Sequence, residues 1–556
     1  MSISATTSKD CASPSISTIH YVESAQVKAR GGWWTWVLLG CVVVSIQMAS
    51  GAFQVERGNY SDEAAHFLNG LLLRDYLWTG GDPLAFAQAY YLNFPKVAPM
   101  MWPPLFHTVL GILLLPGWAP QAASLLLVAA ATTWTAWRVY RVTEAISTRL
   151  LGYVMAGVLL ATPAVIDMTN TVMLDIVVAA VSLEAAYWFA RFARSEATRD
   201  ALVFGFLAAA CCLTKGNGLS IVLVPVLYML LTGSWHLMKH RGLWFAAATI
   251  VLLAFPLVLI SFRIDSGMGG YSAVDVSRIV SRARFYSLYL ARQLGFSITA
   301  LALAGIMAKD RWYRTAASDR RPLIVAMMSL LVAALLFHVL NPVESVAARY
   351  ITLAIPPLVI LSAAGLMVTV GLTPRYHTAL YTALLVVMIA NFVVARPAAT
   401  PRIPLGYREA TTALETRFGL AGRRSLIVSD ESGEGAFVAE VATRELAPRP
   451  TVIRGSKLLA SDDWDGRDFQ LKFASAPAIA QELEDLHVDF VLLDQTVEMP
   501  YTPLLQRMLR DEPDRFELVQ QIQGSRRVAV YRVLRASAGP AKEIEVEVAA
   551  LRRVLR

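Results

Sequence analysis

Charge is scarce in this sequence. Only 17% of the 556 residues are Asp, Glu, Lys or Arg, while 56% are hydrophobic. A soluble globular chain carries about 25% charged residues. The deficit excludes an ordinary soluble enzyme and requires that much of the chain face lipid or a large apolar interior. Cysteine is scarce as well: Cys11 lies in the N-terminal tail, and Cys41, Cys211 and Cys212 lie in apolar segments. With none in the long polar regions, neither a disulfide framework nor a cysteine zinc site is indicated. Internal repeats and low-complexity tracts are absent. The stretch Trp33 to Phe53 is expected to be an uncleaved first helix, because the polar leader ending in Lys28 and Arg30 is too long for a typical signal peptide.

What the chain does have is long apolar runs separated by basic connectors. The formal net charge is +8. The cations sit between apolar stretches, which suits basic cytoplasmic loops and not a nucleic-acid binder, whose cations would share one folded face. A membrane span needs about 20 apolar residues. The candidates are 33–53, 119–137, 151–166, 170–190, 201–215, 217–232, 243–262, 287–307, 322–340, 350–370 and 378–395. The stretch 103–117 opens on Pro103-Pro104 and is expected to be re-entrant or interfacial. The expected fold is therefore mainly α, a polytopic transmembrane helical bundle of about eleven to thirteen spans, with a soluble α/β domain after it.

Four basic clusters orient the bundle: Arg138, Arg141 and Arg149; Arg191, Arg194 and Arg199; Lys239, His240 and Arg241; and Lys309, Arg311, Arg314, Arg320 and Arg321. Placed in the cytoplasm with the tail 1–32, they put the loop 54–102, the turn around Asp167–Asn170, Lys215–Gly218, the loops 263–286 and 341–349, and everything after about residue 396 outside. The expected organisation is a tail 1–32, a membrane core 33–398, an extracytoplasmic α/β domain 399–536 and a helical tail 537–556. In the α/β domain, helix-like segments (405–418, 433–445, 477–486, 503–511) alternate with strand-like runs at 425–430, 451–454, 488–494, 516–519 and 528–533.

Polar groups able to do chemistry collect on the outer face. Asp62 and Glu63 are adjacent carboxylates just beyond the first span. Ser61 can cap a helix there, with both carboxylates in its favourable first turn. The plain reading is that they are first-turn charges and nothing more. Phe67, Leu68, Leu71 and Leu72 suggest that this helix lies in the interface, and Phe86, Tyr90, Tyr91 and Phe94 favour headgroup level. Asp175 sits inside an apolar stretch, which marks a functional candidate. Lys215 is flanked by apolar segments, with Gly216 and Gly218 beside it. Glu344, Arg349 and Tyr350 stand where loop 341–349 enters the next span. Snorkelling to headgroups is the plain alternative for Lys215 and Arg349. Arg263, Arg278, Arg282 and Arg284 run against the charge bias and suit an anionic lipid or a carrier phosphate.

In this order and spacing, Asp62-Glu63, Trp102-Pro-Pro-Leu105, Leu174-Asp175, Leu213-Thr-Lys-Gly216, Ala348-Arg-Tyr350 and Pro356-Pro357 resemble the membrane glycosyltransferases of the GT-C fold. The nearest groups in pattern are bacterial relatives of protein O-mannosyltransferases and of the lipid A aminoarabinose transferase. The resemblance implies a polyprenyl-phosphate-linked sugar donor, an envelope acceptor, contact with membrane lipids and no nucleic acid. It also implies an inverting transfer on the non-cytoplasmic face, in a bacterial inner membrane. Asp62 becomes the first choice for the catalytic carboxylate and Glu63 the alternate. Lys96, Asp175, Lys215, Glu344, Arg349 and Tyr350 become the substrate-binding candidates. Many relatives carry an acidic residue and a lysine before the Pro-Pro, where this chain has Met101 and Trp102. Lys96 then stands in as the phosphate contact, and a divalent metal stays open.

Other signals carry less. Asp463-Trp-Asp465 matches a metal-holding Asp-x-Asp pattern but reads as a loop. Gly433-Glu-Gly435 lacks the dinucleotide spacing. Asp62 and His66 share a helix face, and His107 and His338 lie toward the outer surface, but a metal there needs further ligands. A transporter or flippase of lipid-linked sugars is the rival function, although the pseudo-symmetric halves such proteins often show are not found here. A non-catalytic assembly protein is the third.

Overall fold

The computed structural model describes residues 32–266, 273, 275–308, 320–343, 346–371, 377–398, 401–461, 469–534 and 540–543. Glu344, the Asp463–Asp465 pair, Lys309, Arg311, Arg314 and most of the tail 537–556 lie outside them.

In lipid a backbone must satisfy its own polar groups, so apolar runs become helices. The membrane region is α1 (Gly32–Ala49), α2 (Glu63–Thr79), α3 (Pro83–Asn93), α4 (Leu105–Leu114), α5 (Pro120–Ile146), α6 (Arg149–Ala161), α7 (Pro163–Thr169), α8 (Asp175–Ser195), α9 (Thr198–Thr214), α10 (Leu223–Thr232), α11 (Arg241–Ser266), α12 (Val276–Met307), α13 (Arg321–Leu340), α14 (Ile355–Gly371) and α15 (His377–Ala395). Short 3-10 turns, Gly216–Val222 and Ala348–Ala354, lead into α10 and α14.

Every expected span is helical, but fewer are full length. Six helices are long and apolar enough to cross a membrane, and the pair α6–α7, bent by 68°, would be a seventh. Part of the difference from eleven comes from breaks: Pro163 interrupts 151–166, and Lys215–Gly218 separates α9 from α10. Helix α4 has ten residues and rises about 15 Å, half the hydrocarbon thickness of about 30 Å, so it does not cross.

Where α12 and α14 meet, only glycine fits. A Cβ on Gly365 would lie 1.8 Å from the Leu301 carbonyl oxygen, and one on Gly305 2.4 Å from that of Leu361. Small residues of this kind let membrane helices approach closely. Trp33, Trp34, Trp78, Trp118, Trp235 and Trp244 are exposed, a residue type that favours membrane–water interfaces.

After residue 401 the chain forms a mixed sheet. Its strands are β1 (Arg424–Val428), β2 (Thr451–Arg454), β5 (Phe490–Asp494), β6 (Phe516–Gln523) and β7 (Arg527–Val533), in the order β2-β1-β5-β7-β6. The first three are parallel, and β7 and β6 add antiparallel. The expected strands and helices all appear. A two-stranded ribbon, β3 (Ala460–Ser461) with β4 (Gln470–Leu471), was not anticipated because two residues carry no periodicity.

This domain does not stand apart. Phe67, Leu68, Tyr90 and Phe94 of the first loop share one buried core with Tyr407, Phe437, Val438 and Val452. The apolar face of α2 is therefore covered by α4 and by the helix Glu431–Ala442, and not by the lipid interface that its sequence suggests. Likewise the aromatic face of α3 meets Arg449, which stacks over Tyr90 and Phe86 at 5.0 and 5.8 Å. Gly435 allows this docking: a Cβ there would touch Ala64 of α2 at 3.0 Å and the Lys96 stem at 3.2 Å. Glu56 accepts the backbone N–H groups of Leu405, Gly406 and Arg408 at 2.8, 3.0 and 3.0 Å. It thus caps the helix Tyr407–Phe418 from the first loop.

Candidate active site

Helix α2 starts the site. Asp62 occupies its N-cap position with helical backbone angles, and its side chain caps nothing. Instead the carboxylate meets the Arg349 guanidinium, Oδ2 to Nη2 at 2.6 Å, and stays partly open, with 17% of its side chain exposed. Ser61 is not the cap that the sequence suggested; its hydroxyl lies 3.5 Å from Asp62 Oδ1.

Glu63 points the other way and is fully buried. It accepts the Asn59 N–H at 2.9 Å, the Val172 N–H at 3.1 Å and the Arg402 guanidinium at 3.4 Å. Both oxygens are occupied, so of the two adjacent carboxylates only Asp62 presents itself to an incoming group.

Arg349 links Asp62 to a second pair. Lys215 Nζ donates to Asp175 Oδ1 at 2.7 Å. Asp175 Oδ2 faces Arg349 Nε at 4.0 Å, too far for a hydrogen bond. Both atoms are buried without a hydrogen-bond partner among the described residues. The Tyr350 ring lies beneath both cations, 5.0 Å from Lys215 Nζ and 5.2 Å from the Arg349 guanidinium, and the Tyr60 ring lies 4.7 Å from that guanidinium. Local backbone explains the placement. Asp175 is the first residue of α8, where an acid suits the helix dipole. Lys215 is extended at the end of α9. Gly218 folds back so tightly that a Cβ would lie 2.1 Å from the Cys211 carbonyl oxygen.

A polar rim surrounds these four charges. Asn59 Nδ2 donates to Asp167 Oδ1 at 3.1 Å, and the Tyr60 hydroxyl donates to the other oxygen of Asp167. Burial, with Asp167 next to it, pushes the Tyr60 phenol far up, so it stays a donor. His66 Nδ1 and His107 Nε2 share a hydrogen bond at 3.2 Å. Burial first, then the fields of His107, Lys215 and Arg349, pushes His66 well down, so its imidazole is neutral. Asn217 donates to the Tyr350 carbonyl at 3.2 Å. Lys96 is buried against the C-terminal domain and makes no side-chain hydrogen bond among the described residues. Burial, and then Arg454, lower it to about 8.

Residues 102–260 match the family model described as dolichyl-phosphate-mannose-protein mannosyltransferase. Among solved structures, the chain is similar to ArnT from Cupriavidus metallidurans bound to undecaprenyl phosphate. The TM-score is 0.54 at 15% identity, over 91% of this chain and 99% of that one. The fold is GT-C. The apo oligosaccharyltransferase of Archaeoglobus fulgidus is similar too, with TM-score 0.53 at 12% identity, over 86% of this chain and 71% of that one. No curated protein sequence matches.

Within this GT-C frame, four candidates, Asp175, Lys215, Arg349 and Tyr350, meet beside Asp62. Lys96 comes from the first loop, where it packs against the C-terminal domain, close enough that Asp62 is among the charges it feels. Arg282 donates to the carbonyls of Asn341 and Val343 and so holds that loop. The Gly433-Glu-Gly435 motif is a docking feature in which Glu434 binds Arg454 at 2.8 Å. Among the described residues no three His, Cys, Asp or Glu side chains converge on one point. Asp62 and Asp175 each face a cation. Sequence reasoning missed Arg402, Asn59, Tyr60 and Asn217. Each is an ordinary loop residue, and only the fold brings it to the site.

Proposed function

We propose that this chain transfers a sugar from a polyprenyl-phosphate carrier to an envelope acceptor (lipid, glycan or protein) on the outer face of a bacterial inner membrane. One observation carries the reading: a partly open carboxylate, Asp62, is paired with Arg349 beside the buried Asp175–Lys215 pair of a GT-C bundle. The description of the matching family model names a dolichyl-phosphate-mannose donor, and ArnT is crystallised with undecaprenyl phosphate. Both support a lipid-phosphate donor. The basic connectors support the outer face.

The chemistry follows from the residue types. The donor phosphate takes up Arg349, with Lys215 adjacent, and its charge is stabilised where charge accumulates as the bond breaks. Recruiting Arg349 releases Asp62 from its ion pair. The acceptor hydroxyl then attacks the anomeric carbon, the carbon–oxygen bond to phosphate breaks with its electron pair, and polyprenyl phosphate leaves. Asp62 takes the hydroxyl proton as general base. Attack opposite the leaving group inverts the anomeric centre. Lys96, an ammonium below about pH 8, adds a third positive charge on the side that faces the C-terminal domain. The test is to incubate purified protein in phospholipid vesicles with labelled undecaprenyl-phosphate hexoses and pentoses plus envelope extract. Label should move to a defined acceptor with wild type and not with Asp62→Asn. Equal transfer by both would overturn the assignment.

A further inference from the structure

Glu63 sits at the crossing of three chain segments that build the site. Next to it in sequence is Asp62. The Val172 N–H it binds lies three residues before Asp175. The guanidinium it binds belongs to Arg402, in the segment entering the C-terminal domain. That segment is held at both ends: the Arg402 N–H donates to the Ser50 carbonyl at 3.2 Å, and Glu56 captures the N–H groups of Leu405, Gly406 and Arg408. Arg402 is itself buried, with 7% of its side chain exposed.

We propose that Glu63 and Arg402 form a positioning strut, through which the C-terminal domain sets Asp62 in register with the Asp175–Lys215 pair. The inference rests on Asp62 being the base. Glu63 touches no reacting atom and acts through its neighbours. Its two backbone bonds fix the start of α2 against the turn before α8. The guanidinium supplies the countercharge to a fully buried carboxylate and holds it in place. A misplacement of about 1 Å at a reacting group costs about a hundredfold in rate, so a strut at this point is felt in turnover more than in binding.

A second inter-domain ion pair provides the control. Arg74 binds Glu445 at 2.5 Å, but eleven residues along α2 from Glu63, about 16 Å away. It joins the same two regions without touching the start of the helix.

The experiment uses the full chain in phospholipid vesicles, with the donor found active in the transfer assay and undecaprenyl phosphate as binding probe. Arg402→Ala is expected to lower kcat about tenfold to a hundredfold, with donor KM and undecaprenyl phosphate Kd within about twofold of wild type. Arg402→Lys should recover most of the loss, and Glu63→Gln, which keeps one of its two backbone acceptors, should fall between. Glu445→Gln should keep kcat within about twofold. Wild-type turnover in Arg402→Ala would overturn the strut, as would an equal fall in Arg402→Ala and Glu445→Gln. If Arg402→Ala does not insert, the Lys and Gln variants decide the matter in its place. Transfer retained by Asp62→Asn removes the base assignment beneath the strut, whereas inactive Asp62→Asn beside fully active Arg402→Ala sinks the strut alone.

Discussion

Helix α8 carries two buried acids nine residues apart, and their surroundings differ. Glu184 is complete. Arg138 binds it through two bonds of 2.6 and 2.5 Å, and the indole N–H groups of Trp134 and Trp188 donate at 3.0 and 2.8 Å. The guanidinium is flanked by the rings of Trp137 and Tyr187 at 4.8 and 3.8 Å. Asp175 is incomplete: one oxygen meets Lys215, and the other faces Arg349 across 4.0 Å with no hydrogen bond. A filled network rigidifies a bundle, while a partly filled one holds cations that another anion can claim. Buried charge inside a membrane protein marks a functional candidate by default. These two pairs show that the default sorts structure from chemistry only after the lone pairs are counted.

The sharpest break of the comparison is Asp62→Asn. Turnover should fall about a hundredfold to ten-thousandfold with the melting temperature unchanged, measured by transfer assay and thermal unfolding on one sample. Glu184→Ala should do the reverse. It strands the Arg138 charge and costs about 3–5 kcal/mol of stability, while turnover per folded molecule stays at the wild-type level. Arg349→Lys keeps the charge and loses the planar fork; donor KM should rise about tenfold by steady-state kinetics.

Lys96→Met gives the smallest effect and a pH signature. The lysine is ionised below about pH 8, against 10.5 ordinarily. Between those values the unfolded chain holds a proton that the folded chain has lost, so stability rises with pH across that window and is flat below it. Donor affinity should fall as pH passes upward through about 8, since the ammonium is lost. In Lys96→Met both dependences should disappear, and the variant should be about 1–3 kcal/mol more stable at pH 7, by denaturant titration across pH.

Much of the bundle was legible because lipid leaves a chain few choices. Apolar runs announced helices, and Gly216 and Gly218 an irregular backbone beside Lys215, though not that Pro163 would break the expected span 151–166. The α/β alternation after residue 401 was legible from strand and helix periods. Asp175, Lys215 and Arg349 were legible because a charge among apolar residues needs a reason. The direction of Glu63 was not: two adjacent carboxylates look alike until the Val172 N–H and Arg402 pull one of them inward. Nor was the docking of α2, since an apolar helix face reads the same whether lipid or protein covers it.

The capping of residues 405–408 by Glu56 has a consequence in time. Those N–H groups lie 349 to 352 positions downstream of the carboxylate that holds them. At about 5–20 residues per second, a ribosome delivers them roughly 20 to 70 seconds after Glu56 is made. Throughout that interval the first loop lacks half of its scaffold. The first loop of a nascent molecule therefore gains these contacts only when the chain past residue 408 has emerged, so its completion is timed by translation itself.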